Sequence, residues 1–292
     1  MPKRKYISCY AKCYNGITIH YDDFLGHTDK TVVFLPGMTS NAVSFFTIID
    51  DLGDDYRCIS VDLRGRGLSE HAPEGSYGIP THAKDIIILL DTLGLKNVTL
   101  VGHSFGTNVA TAVAVERPDL VKNMILIEGG KTSISMEDLE KTCEAGLQRT
   151  KVIYPSLDAY REFWRKSAPY MDDKAWTPYF DEFIKSDVKE VGDGKVQCRA
   201  MGEAISEDTM KGYTEYDTAE YAPKVKAPVC SVWADSPLFG DKPLFSEQAL
   251  KELCDLLGGY TKFVRMRGAN HLDVIYTPEY AQKIADEIVL AS

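Results

Sequence analysis

Gly102-His103-Ser104-Phe105-Gly106 sets a serine between two glycines, after the apolar run at 98–101 (VTLV) and before the small-residue stretch at 107–115. A strand-to-helix turn of this kind is tight, and the glycines remove side chains that would clash. It holds the serine hydroxyl out above the strand ends as a candidate nucleophile. A hydroxyl becomes a nucleophile only beside a base. Of the six histidines, His271 is placed for that task, in Arg267-Gly268-Ala269-Asn270-His271 between the last apolar run and the last helical pattern. His20 falls in an early strand, His27 and His71 in loops and His82 at a helix start. His103 precedes the serine, with its side chain expected to point away. These five are read as structural or surface residues.

The chemistry implied is acyl transfer, which needs two backbone N–H groups aimed at the oxyanion. Phe105, directly after the serine, supplies one. Met38, in Pro36-Gly37-Met38-Thr39-Ser40-Asn41, supplies the other, because Gly37 lets the chain turn inward. An acid must orient the imidazole, and two strand ends can deliver it. Glu128 ends the run at 124–127 (MILI) and has the longer reach. Asp235 follows 229–233 (VCSVW). Geometry favours Glu128 and keeps Asp235 as the alternative. The stretch 62–69 (DLRGRGLS) reads as a structural turn held by Asp62, Arg64 and glycines.

The elements that position these residues are continuous apolar runs at 31–35, 57–61, 98–101, 124–127, 229–233 and 262–266, with a polar-alternating strand at 16–21. Runs without alternation indicate strands buried on both faces, hence parallel pairing. Helical patterns at 81–93, 107–115, 247–257 and 278–290 alternate with them. The fold class is therefore α/β, a doubly wound, mostly parallel sheet. Residues 131–222 break the alternation with helical patterns, no good buried strand, and many aromatics, among them Tyr154, Tyr160, Trp164, Tyr170, Trp176, Phe180, Phe183 and Tyr213. This stretch is expected to be a helical cap inserted into a core made of residues 1–130 and 223–292. Its Arg161, Arg165 and Arg199 are candidates to hold a substrate carboxylate.

The bulk numbers fit an ordinary globular chain: 292 residues, 44% hydrophobic, 26% charged. A net charge of -10 without basic clusters argues against nucleic acid or an anionic membrane as partner. Seven scattered cysteines without a CxxC pair suggest reduced thiols rather than a disulfide framework or zinc site. No run of about 18 apolar residues occurs, and no apolar stretch follows the basic start at Lys3-Arg4-Lys5. A cytoplasmic protein acting on a small molecule is expected; oligomeric state is not legible.

The elbow, base loop and oxyanion loop resemble the α/β-hydrolase superfamily over essentially the full chain. The run 34–41 (FLPGMTSN), the D-x-R-G-x-G-L-S run, Val101-Gly102-His103-Ser104, and a loop after VCSVW that lacks the usual Asp resemble a smaller group. That group contains (acetamidomethylene)succinate hydrolase and N-formylmaleamate deformylase, cofactor-free amide hydrolases whose acid follows the strand before the cap. The resemblance implies an α/β-hydrolase fold with an inserted cap, Glu128 as the acid, no cofactor and no metal. Those two amidases carry Asp where this chain has Glu; a zearalenone lactonase is similar and carries Glu. The expected function is a serine hydrolase cleaving a small amide or ester. Lactone or carbon–carbon bond hydrolysis on the same triad is the alternative, and a ligand receptor with residual activity is the alternative of another class. Dehalogenase and epoxide hydrolase chemistry would need Asp at position 104.

Overall fold

Successive residues of the strand Thr31–Leu35 serve two different cores. Val32 and Phe34 pack with Ile48, Ile284 and Ile288, whereas Val33 and Leu35 pack with Ile86, Leu89 and Val109. All five residues of this strand are buried. A strand covered on both faces gains from β-branched and aromatic side chains throughout, each worth ~1.5–3 kcal/mol when fully buried. The structure, a computed structural model, describes residues 2–129, 144, 147–167, 171, 173–238 and 240–292, apart from the side chains of 213 and 214.

The main sheet has eight strands: β1 (Ile7–Lys12), β2 (Thr18–Phe24), β3 (Thr31–Leu35), β4 (Arg57–Val61), β5 (Val98–His103), β6 (Val121–Ile127), β10 (Val229–Ala234) and β11 (Thr261–Met266), in the order β1-β2-β4-β3-β5-β6-β10-β11. β1 and β2, and β2 and β4, pair antiparallel. The remaining neighbours pair parallel. One face carries α1 (Phe46–Leu52) and α9 (Pro278–Ala291), the other α2 (Ile79–Thr92) and α3 (Phe105–Glu116). The helices begin where the sequence caps them. Pro80 sits in the first turn of α2, and Ser246 accepts from Ala249 N at 3.1 Å to start α8 (Glu247–Leu256). β1 (ISCYAK) lies outside the expected strands: it is mostly exposed and has no continuous apolar run.

Between β6 and β10 lie α4 (Leu157–Ser167), α5 (Pro178–Ser186), α6 (Gly202–Thr214) and α7 (Thr218–Tyr221). The expectation of helices alone is corrected here. β7 (Ile153–Tyr154), β8 (Val188–Glu190) and β9 (Val196–Cys198) form a second, antiparallel sheet in the order β7-β9-β8. Strands of two or three residues are too short for a period to show. The signal was the turn between β8 and β9, where Gly192, Asp193 and Gly194 all have positive φ. Tyr160, Phe180 and Phe183 are almost fully buried and pack with Trp164 and Tyr276, so much of the aromatic content builds a core. Tyr170, the Tyr213 side chain and residues 131–143 lie outside the described residues.

Candidate active site

Ser104 stands between β5 and α3 with φ 53° and ψ -120°. This left-handed backbone is strained for a residue with a Cβ. Three contacts hold it. Ser104 N donates to Ile127 O at 2.9 Å, and Ser104 O accepts from Thr107 N at 3.0 Å and Thr107 Oγ1 at 2.6 Å. The flanking glycines are required by close approach. A Cβ on Gly102 would lie 2.5 Å from Gly106 O, and one on Gly106 would lie 2.1 Å from Leu35 O.

Three residues from distant parts of the chain meet here. His271 Nε2 is 3.0 Å from Ser104 Oγ, and His271 Nδ1 is 3.2 Å from Glu128 Oε2. Glu128 is fully buried, just past β6, and its other oxygen accepts from Ala234 N at 2.6 Å. Its φ of 51° is also left-handed. Two of the five non-glycine residues with positive φ among the described residues are therefore in this relay, and strain of that kind gathers at functional sites. Burial pushes Glu128 up to about 8, against the Ala234 N–H that favours its charge. Burial likewise pulls His271 down to about 3, so the imidazole is neutral. The loop under His271 is fixed by Asn270 Oδ1, which accepts from Leu272 N and Asp273 N, and by Asp273 Oδ1, which accepts from Asn270 N.

Asp235, the alternative acid, is placed elsewhere. Its oxygens accept from Arg265 Nε and Gly268 N, each at 2.7 Å. Phe105 is the first residue of α3, so its N–H has no acceptor within the helix. Gly37 lies against the serine, since a Cβ there would be 3.4 Å from Ser104 Cβ, and Met38 follows it. Of the three arginines expected to hold a carboxylate, Arg161 is engaged by Asp158 and Asp181. Arg165 lies 4.3 Å over the Trp176 ring, and the buried Nε of Arg199 has no hydrogen-bond partner among the described residues. His103 has more to do than its neighbour position suggested. Its Nε2 donates to His271 O at 2.8 Å, and its ring lies 4.9 Å from the His271 ring. Nothing in the sequence pattern marks that link. Among the described residues, no group of three or more His, Cys, Asp or Glu could hold a metal ion, and no helix is long and apolar enough to cross a membrane.

Comparison with known proteins identifies the fold. The chain is 38% identical to 2-(acetamidomethylene)succinate hydrolase of Mesorhizobium japonicum over 131 residues, 44% of this chain and 46% of the relative. It is 32% identical to N-formylmaleamate deformylase of Pseudomonas putida over 114 residues, 39% of this chain and 42% of the relative. The chain spans about half the length of the curated relatives it matches. The crystal structure of E-2-(acetamidomethylene)succinate hydrolase superposes with a TM-score of 0.83 at 25% identity, covering 98% of this chain and 99% of that one. The profile of the alpha/beta hydrolase fold matches residues 30–278, and the chain belongs to that family.

Proposed function

We propose that this chain is a serine hydrolase that cleaves a small amide or ester through an acyl-enzyme. The observation that carries the reading is the hydrogen-bonded relay from Ser104 through His271 to Glu128. Ser104 Oγ attacks the carbonyl carbon while its proton passes to His271 Nε2. The resulting oxyanion accepts from the N–H groups of Met38 and Phe105; one such donor is worth roughly 3–4 kcal/mol. Glu128, once ionised, holds His271 Nδ1–H and stabilises the imidazolium. His271 then gives its proton to the leaving nitrogen or oxygen. Water enters, loses its proton to His271, and attacks the acyl carbon, releasing acid and restoring Ser104.

Amides lead the substrate list because the names of two relatives describe an acetamide-bearing succinate and a formylated maleamate. The chemistry asks for no metal or organic cofactor. The test is a panel of N-formyl and N-acetyl amides of small dicarboxylic acids beside p-nitrophenyl esters, with acid release followed in wild type and Ser104→Ala. Turnover that depends on Ser104 supports the reading. A wild type that binds panel members but turns none of them over contradicts it and favours a receptor.

A further inference from the structure

The turn at residues 37–40 carries the Met38 amide, and its three carbonyls are taken up in three directions. Gly37 O accepts from Ser40 N at 3.0 Å. Met38 O accepts from Arg66 Nε at 2.9 Å. Thr39 O accepts from Arg149 Nη2. Both arginines are buried, and each is paired with an aspartate from the segment between β6 and β10. Arg66 Nη2 lies 2.6 Å from Asp208 Oδ2, and Arg149 Nη2 lies 3.4 Å from Asp187 Oδ1.

Asp208 is fully buried on α6. It also accepts from Gly78 N at 2.6 Å and contacts His82 Nε2 at 3.0 Å. Burial pushes its carboxyl up, but His82 and Arg66 outweigh that and hold it at about 2. A buried aspartate this well satisfied fixes the guanidinium it faces, because moving either group would leave a buried charge unpaired. Arg66 in turn has Nη1 on Arg64 O at 2.9 Å, so its Nε has one direction left.

We infer that Asp208, acting through Arg66, is a positioning residue that shapes the 37–40 turn and so sets the Met38 amide against the Ser104 oxyanion. The second limb, Asp187 through Arg149, holds the next carbonyl of the same turn. The segment between β6 and β10 thereby reaches the turn that carries the Met38 amide, and its seating on the core becomes a condition of turnover. This rests on the serine hydrolase reading and adds residues to it.

A fluorophosphonate probe reads the effect without a known substrate, because its saturating inactivation rate (kinact) depends on the oxyanion donors and its half-saturation (KI) on ground-state binding. Asp208→Asn is expected to lower kinact roughly 10- to 100-fold while KI stays within about threefold. Glu207→Ala is the control. Glu207 ties the same helix to the core through Gly75 N and Tyr77 N but does not touch the turn; kinact is expected within about twofold of wild type. If Asp208→Asn does not fold, Arg66→Lys carries the test. It keeps a cation for Asp208, removes the Nε donor, and is expected to show the same split. A folded Asp208→Asn or Arg66→Lys with unchanged kinact overturns the inference. So does a Glu207→Ala that slows as much, which would reduce Asp208 to general docking. Failure of the wild type itself to label is a different result, and counts against the serine hydrolase reading.

Discussion

Ser8, His20 and Asp62 repeat the arrangement of Ser104, His271 and Glu128. Ser8 Oγ is 2.8 Å from His20 Nε2, and His20 Nδ1 is 2.8 Å from Asp62 Oδ2. Both contacts are shorter than their counterparts of 3.0 and 3.2 Å at Ser104. Distance alone would favour Ser8 over Ser104. The difference is charge. Burial pulls His20 down, but Asp22 at 3.4 Å and Asp62 outweigh it and raise it to about 9. At neutral pH His20 is an imidazolium and has no lone pair to take a proton from Ser8. His271 faces one carboxyl, is buried and stays neutral. The backbone differs too. Ser8 lies in the edge strand β1, paired opposite Asp22, whereas Ser104 is strained at the head of a helix. Asp62 is also occupied, accepting from Ala42 N and Leu68 N, so the first relay is a structural knot.

The largest effect expected from this contrast comes from the serines. Ser104→Ala should lower hydrolysis of a p-nitrophenyl ester by roughly 10⁴-fold or more, while Ser8→Ala leaves it within about twofold. Comparable losses in both would break the contrast. Next come the carboxylates. Glu128→Gln should cost roughly 10³–10⁴-fold in kcat, because the amide holds the wrong tautomer. Asp235→Ala should cost less than about tenfold, since the partners it loses, Arg265 Nε, Gly268 N and Ser236 Oγ, lie outside the relay.

The pH profile follows in size. A neutral Glu128 donates to Nδ1 and leaves the imidazole proton on Nε2, facing Ser104; the ionised carboxylate reverses this. The fluorophosphonate inactivation rate should therefore rise with pH through about 8, with no step near 6.5 from His271, and Glu128→Gln should flatten the rise. The smallest effect is on stability. The folded pKa of His20 lies above the ordinary 6.5, so its contribution is whole below 6.5 and is lost as pH rises through about 9. His20→Gln should destabilise by about 2–3 kcal/mol at pH 6, with the gap to wild type closing above pH 9, as read by urea unfolding at both values.

Ser104 and His271 were legible because glycine spacing and strand–helix alternation are local signals, and the structure puts their side chains within hydrogen-bond reach. Reach favours Glu128 over Asp235, but the residues alone leave both open. Both end strands, and which one faces the imidazole depends on the register of β6, β10 and β11. The left-handed φ of Glu128 leaves no trace in composition. The DLRGRGLS turn was legible as structural, yet the bond from Arg66 to Met38 O and its pairing with Asp208 join residues that no period or motif connects. The His20 knot was missed for the same reason: its charge is set by Asp22 and Asp62 together, and only folding brings Asp62 to it.

The most direct measurement is the site of covalent labelling by a fluorophosphonate at neutral pH, mapped by mass spectrometry. The account predicts a single adduct on Ser104, lost in Ser104→Ala and untouched in Ser8→Ala. An adduct on Ser8, or none under conditions where a known serine hydrolase reacts fully, would contradict it.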